Sequence, residues 1–344
     1  MNKQYVAVLM DCSVKGMEPF LEGLSSSWGA EICPLSRISN GNRRGGGNIY
    51  RYLQYFAFPL QFLGKIKDYD WVLGWQQFYA INLAFFARLF RLKKRSRIVV
   101  LNFTYKRKGG VIGGLYYRYM RYAVNNKYVD YLHVPSYGYA ERCCEELGLR
   151  NEQFIITHFG VADSYDELKD LKVEKKNFVL SIGRSNRDFD FLVTVWKQKE
   201  MEHVPLVIIS DEWQPQEPLP ANIEWLSNVI GAASKPWMNA CRMMIIPISD
   251  GNICSGDTVL LTGMMLRKPV IVTSPSTLAE MYIENGVDGL AIAKDVDLFT
   301  QKVLSLYQDT RSCEEIGDKA RATYLVRFSS SAMGKAIGKA LCDA

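Results

Sequence analysis

The run Ser255-Gly256-Asp257-Thr258 places small and polar residues after a buried apolar run, Met244 to Ile248, where a helical pattern begins near Asp257. A loop that opens a helix gathers unpaired backbone N–H groups at one point. The positive end of the helix dipole adds to them, so such a loop suits a phosphate. Ser, Asp and Thr also cap helices well, and capping is compatible with phosphate binding. Earlier in the chain Gly183-Arg184 closes another strand pattern, with Arg187 shortly after it. The loop and the Gly-Arg pair together point to an enzyme that holds a nucleotide diphosphate.

Other residue types invite weaker readings. Asp250 could contact a sugar or an acceptor, or simply form an Asp-Gly turn with Gly251. Asp188-Phe-Asp190 and Asp68-Tyr-Asp70 fit the spacing used by metal-dependent transferases. Asp188 and Asp190, however, stand where a helix begins and favour capping. Asp68 and Asp70 read as a turn before a strand, so no metal site is assigned. Of the histidines, His133 sits inside a strand pattern and reads as core, and His203 lies in a loop. His158 ends the last strand of the first half and is a site candidate against a structural role.

These residues need elements to position them. The second half alternates apolar strands (177–182, 205–210, 223–226, 243–248, 270–273) with helices (189–199, 234–241, 258–267). Continuous apolar strands separated by helices predict a parallel sheet covered on both faces. The first half repeats the pattern less regularly, with strands at 5–10, 71–73, 98–102, 131–134 and 154–158. The prediction is an α/β protein of two doubly wound, Rossmann-like domains, 1–160 and 161–328, facing a cleft, with a closing helix over 329–344 that packs back on the first. Ligands bind at the carboxyl ends of strands in such folds, where Asn102, His158, Arg184, Asp211 and Asp250 fall. The glycine-rich run from Asn40 to Asn48 reads as a flexible basic loop on the acceptor side. It lacks the spacing of a phosphate cradle.

Charge divides the chain. Residues 1–160 hold 22 Lys/Arg and 11 Asp/Glu, while residues 161–344 hold 20 and 25. The first half is therefore expected to face something anionic. Trp71 to Arg97 is apolar, aromatic and basic at its end, but Gln76, Gln77, Asn82 and Arg88 argue against a spanning helix. It reads either as a core helix or, with 105–110, Arg118 and Arg121, as a surface for anionic lipid. No motif for nucleic acid accompanies these charges. The eight cysteines show no C-x-x-C spacing, and no cleavable leader pattern opens the chain, so reduced thiols in a cytoplasmic protein are expected.

Three segments of the second half carry a resemblance. They are Ser181-Ile-Gly-Arg-Ser-Asn-Arg-Asp-Phe-Asp-Phe-Leu192, Pro247 to Ile271, and Leu278-Ala-Glu-Met-Tyr-Ile-Glu-Asn-Gly-Val-Asp-Gly-Leu290. Together they resemble retaining glycosyltransferases of the GT-B fold, in particular family 4, the glycosyl transferases group 1. Arg187 stands at the family's lysine. Cys254 and Thr262 stand at its paired glutamates, separated by seven residues, which contact donor sugar and ribose.

The resemblance implies a transferase moving a sugar from a nucleoside-diphosphate sugar to a glycan or lipid-linked saccharide, without a metal and with retention. Leaving-group departure builds charge on the diphosphate, and fixed cations with a helix end offset it. The resemblance assigns the diphosphate to Arg184, Arg187, Ser255, Gly256, Asp257 and Thr258. It assigns the sugar and ribose to Asp250, Cys254, Thr262 and Glu280. No catalytic base is assigned; Asp250, His158 and Asn102 are the candidates. The nucleotide sugar is a substrate, and no further cofactor is expected. The expected place is the cytoplasm, at the inner face of a membrane. Two rivals remain open: a sugar-nucleotide epimerase of similar fold, and an inactive nucleotide-binding scaffold.

Overall fold

A computed structural model describes residues 4–37, 47–253 and 255–344. The basic loop read at 40–48 lies outside them as far as residue 46, and Cys254 lies outside them too. The chain divides into two compact units, 1–162 with 330–344, and 163–329.

The first unit holds strands β1 (Tyr5–Met10), β2 (Glu31–Ser36), β3 (Trp71–Gly74), β4 (Arg97–Val100), β5 (Val129–Val134) and β6 (Phe154–Ile156). They form one sheet in the order β2-β1-β3-β4-β5-β6, and every pairing is parallel. Its sequence alternates at period two between two covered faces. Val6, Val8, Met10 and Leu73 pack under Phe20, Leu24 and Met333. Ala7, Leu9 and Val72 pack under Tyr79, Leu83 and Met120 on the opposite side.

The closing helix Ser330–Cys342 lies against the helix Glu18–Trp28. Glycines allow the approach. A Cβ on Gly334 would sit 2.2 Å from the Phe20 carbonyl oxygen, and one on Gly338 would sit 2.1 Å from Ser27 Oγ.

The second unit holds β7 (Val179–Ile182), β8 (Leu206–Ile209), β9 (Ile223–Leu226), β10 (Met243–Ile246), β11 (Val270–Ser274) and β12 (Leu290–Ala293). Their order is β12-β11-β10-β7-β8-β9, again all parallel. The four central strands β7, β8, β10 and β11 are buried almost throughout, as a sheet covered on both faces requires. Phe189, Leu192, Trp196, Phe299 and Val303 cover one face.

The helix Gln77–Leu89 within the apolar basic segment is mainly a core element, with Tyr79 to Ala84 and Ala87 buried. Among the described residues no helix is long and apolar enough to cross a membrane.

Candidate functional site

Parallel strands β7, β8 and β10 end at one edge of the second sheet, and the loops that leave them build a cavity of about 400 Å³. Ile182, Ile209, Ile230 and Met238 give it apolar walls, while Arg184, Arg187, Lys235, Ser255, Gly256 and Thr258 give it polar ones. That volume and mixed lining suit a small organic anion.

Asn186 organises the loops. Its φ of 55° is left-handed, a conformation that Asn tolerates better than most residues. From there Nδ2 donates to the Asp250 carbonyl at 3.0 Å and to Ser255 Oγ at 2.9 Å. Its Oδ1 accepts from the Asp250 N–H at 2.7 Å. The loop after β7 is thereby tied to the loop after β10. Arg187 also bridges Ile248, and the Asp188 N–H donates to the Pro247 carbonyl at 2.8 Å.

Arg187 lies between two glycines. A Cβ on Gly183 would fall 2.5 Å from its Nε, and one on Gly256 2.5 Å from a terminal nitrogen. The other terminal nitrogen donates to the Ser185 and Asn186 carbonyls at 3.2 and 3.3 Å, while the buried Nε has no hydrogen-bond partner. Burial brings the Arg187 pKa down to about 10, with Asp257 working the other way. Burial also raises the Asp257 carboxyl, against the N–H groups of Thr258 and of Asp257 itself and the charge of Arg187. An incompletely satisfied buried guanidinium of this kind gains from an anion placed beside it.

The helix Asp257–Met265 starts at Gly256, whose φ is 104°, and no side chain caps it. Ser255 Oγ accepts from Asn186 instead, and Thr262 Oγ1 donates back to the Thr258 carbonyl at 2.7 Å. The helix thus opens beside the cavity that Ser255, Gly256 and Thr258 line, with the Thr258 N–H donating to Asp257 Oδ1 at 3.0 Å. Arg184 is exposed at the end of β7. Its Nε donates to Asp211 at 2.8 Å, and a terminal nitrogen lies 3.3 Å from Glu212.

Six of the residues expected around the donor come together on this cavity: Arg184, Arg187, Ser255, Gly256, Thr258 and Thr262. Asp257 opens the helix beside them. The Asp250 carboxylate is turned into its own loop, accepting from the Asn252 N–H at 3.0 Å and from Asn252 Nδ2 at 3.2 Å. Glu280 is exposed on the short helix Thr277–Tyr282, outside the cavity lining. Asn102 and His158 belong to the first unit, just beyond β4 and β6.

Lys235 opens the helix Lys235–Ala240 and reaches the cavity from the loop after β9. Sequence reading placed a helix there and passed over its cation. Asn186 was missed as well; its signal was an Asn set between a strand end and Arg187.

The D-x-D residues take structural partners. Asp188 Oδ1 accepts from the Phe191 N–H at 3.0 Å, with Lys294 as its ion-pair partner, and Asp190 accepts from Trp213 Nε1 at 3.1 Å. Asp70 accepts from the Tyr5 N–H at 2.8 Å.

Parallel sheets in both units, with a cation-lined cavity at a strand edge of the second, match the fold of GT-B glycosyltransferase structures. HepE of Anabaena in complex with UDP-glucose shares the fold at TM-score 0.62 and 15% identity, covering 98% of this chain and 100% of that one. A glycosyltransferase from Rickettsia africae matches at TM-score 0.61 and 14% identity, over 99% of both chains. Sucrose-phosphate synthase from Thermosynechococcus elongatus matches at 0.61 and 13%, again over 99% of both. At these identities the likeness establishes the fold. No curated protein matches the chain by sequence. Residues 176–309 match the family of glycosyl transferases group 1. The second unit is thus similar to group 1 glycosyltransferases over that stretch, and the chain has the fold of GT-B glycosyltransferase structures.

Proposed function

We propose that the cavity of the second unit holds a nucleoside-diphosphate sugar and that the enzyme transfers its sugar to a saccharide or lipid-linked saccharide, with retention and without a metal ion. One observation carries the reading: three cations, Arg184, Arg187 and Lys235, share a single cavity with the start of a helix whose N-cap is a glycine. Charge that develops on a departing diphosphate is offset by such fixed groups, which need no reorganisation as the bond breaks. Arg187 and the first-turn N–H groups near Gly256 take the phosphates. Arg184 and Lys235 take the remaining charge, and the isoleucines and Met238 suit the flat apolar faces of a nucleoside.

Thr262 replaces a carboxylate expected from the resemblance, and Asp250 is engaged in its own turn. The sugar is therefore gripped by groups other than a glutamate pair. The neighbouring structure of HepE with UDP-glucose makes a uridine donor the first to try.

The test is calorimetric titration with UDP, GDP and ADP and their glucose conjugates, with and without EDTA. Micromolar binding of one diphosphate, unchanged by EDTA, is expected. No binding by any of them would overturn the donor site, and strict dependence on a divalent cation would overturn metal independence. Retention is checked by the anomeric configuration of the first product.

A further inference from the structure

We propose that the first unit docks on an anionic membrane surface through an apolar face built from the helices Gly47–Phe62 and Gly110–Val124 and the end of Gln77–Leu89. On the first helix Ile49, Leu53, Phe56 and Leu60 recur at helical spacing and are all exposed, whereas Tyr55 and Phe62 are buried. On the second, Val111 and Ile112 are 83% and 80% exposed, with Leu115 one turn further on at 60%.

Ring contacts join the stripes into one face. The Phe56 ring lies 6.5 Å from Phe86 and 6.4 Å from Tyr119, and Phe86 stacks on the exposed Phe90 at 6.0 Å. A contiguous apolar patch of this kind on a folded chain marks an interaction surface.

Charge selects the partner. Between Ile32 and Val129 the sequence holds 18 Lys/Arg, and its acids there are Asp68 and Asp70 alone. Lys106, Arg107 and Lys108 are exposed directly before the helix that carries Val111 and Ile112, and Arg118 and Arg121 are exposed on it. Basic residues beside exposed apolar ones match a surface of anionic headgroups over acyl chains. Exposed Tyr50 and Tyr52 add amphipathic rings suited to that boundary. A second copy of the chain would bring like charges together, and a nucleic acid would leave the apolar stripe in water.

The face belongs to the first unit and the donor cavity to the second, and they share no residue, so the failure of this proposal and that of the donor reading are separable. The test sediments the full chain with vesicles of phosphatidylcholine alone and of phosphatidylcholine containing about a third phosphatidylglycerol, at about 0.1 M ionic strength. The protein is expected to follow the anionic vesicles and to stay in solution with the neutral ones. The pairs Val111→Ser/Ile112→Ser and Leu53→Ser/Phe56→Ser keep the charge and alter exposed positions. Each should weaken vesicle partition about tenfold or more at an unchanged melting temperature. Arg184→Ala should bind vesicles like the parent. Absence of the wild type from the anionic pellet, or full binding by both serine pairs, would overturn the proposal. A dimer broken by the same pairs, or capture of an oligonucleotide but not of vesicles, would overturn it as well.

Discussion

A methyl group on Gly256 would lie 2.5 Å from a terminal nitrogen of the Arg187 guanidinium. The residue that starts the helix Asp257–Met265 therefore also leaves the room that the buried cation occupies. Gly256→Ala meets both that contact and a φ of 104°, which side chains rarely adopt. The expected cost is about 1–3 kcal/mol of stability, read as a lower thermal midpoint. Diphosphate affinity should fall in the same protein, since Arg187 must move. An alanine variant with unchanged affinity would remove Arg187 from the phosphate site.

Arg184 and Lys235 predict a different signature. Arg184 is exposed and shares its charge with Asp211 and Glu212, so its ion pairs contribute little stability, about 0–1 kcal/mol. A hydrogen bond from a charged group to a phosphate contributes about 1.5–3 kcal/mol. Arg184→Ala and Lys235→Ala should each weaken a nucleoside diphosphate by about one to two powers of ten at nearly constant melting temperature. The unphosphorylated nucleoside serves as control in calorimetry and should bind both variants like the parent. Equal losses for nucleoside and diphosphate would place these cations elsewhere on the ligand.

The parts of the fold that were legible in the sequence are those buried on both faces. Strands β7, β8, β10 and β11 are unbroken apolar runs because helices cover both sides of the sheet. The edge strands β2 and β12 were not read. Both are half-exposed; β2 is interrupted by Pro34, and β12 is a four-residue Leu-Ala-Ile-Ala run in which two positions are alanine, a weak strand former. Gly183, Arg184 and Ser255 to Thr258 were legible because a strand end and a helix start fix where they point. Lys235 was not, because its place depends on the loop after β9, which no local pattern records. Asp250 and Glu280 show the converse: their type suited a sugar, but turn geometry holds one and a separate helix carries the other. The exposed stripe on Gly47–Phe62 was hidden because its apolar residues lie on both the inner and outer sides of that helix.

Gly334 predicts the cost of disturbing the closing helix. Its Cα approaches so near that a Cβ would stand 2.2 Å from the Phe20 carbonyl oxygen and 2.9 Å from the Leu24 nitrogen. Both atoms are backbone of a packed helix and cannot swing aside. Gly334→Ala should cost about 1–3 kcal/mol through overpacking, seen in chemical denaturation. Gly114→Ala, where nothing lies within 4 Å of the new methyl group, is the matched control and should be neutral or slightly stabilising. A loss in the control equal to that in Gly334→Ala would mean that the close approach to Phe20 and Leu24 does not set the effect, since helix propensity alone favours alanine.

His133 predicts how the first unit responds to acid. The imidazole is buried at the end of β5. Its Nδ1 accepts the Asn102 N–H at 3.2 Å, so Nε2 carries the proton and faces Thr157, with Oγ1 at 2.9 Å and the carbonyl at 3.1 Å. Burial brings its pKa from 6.5 down to about 4, with the Thr157 hydrogen bond working the other way. The unfolded chain therefore binds a proton over a range where the folded chain does not. Stability from the neutral ring is complete above about pH 6.5 and is lost as pH falls toward about 4, by up to roughly 3 kcal/mol. Adding that proton would set an Nδ1–H against the Asn102 N–H, at a residue already held at a φ of 51°. Urea midpoints at about pH 7 and about pH 4.5 should differ clearly in the parent chain and much less in His133→Gln. The glutamine chain should be the less stable of the two at neutral pH, because a flexible amide fits the Asn102–Thr157 gap less well than a ring. Equal pH dependence in both proteins would assign the acid response to other groups and leave His133 as packing alone.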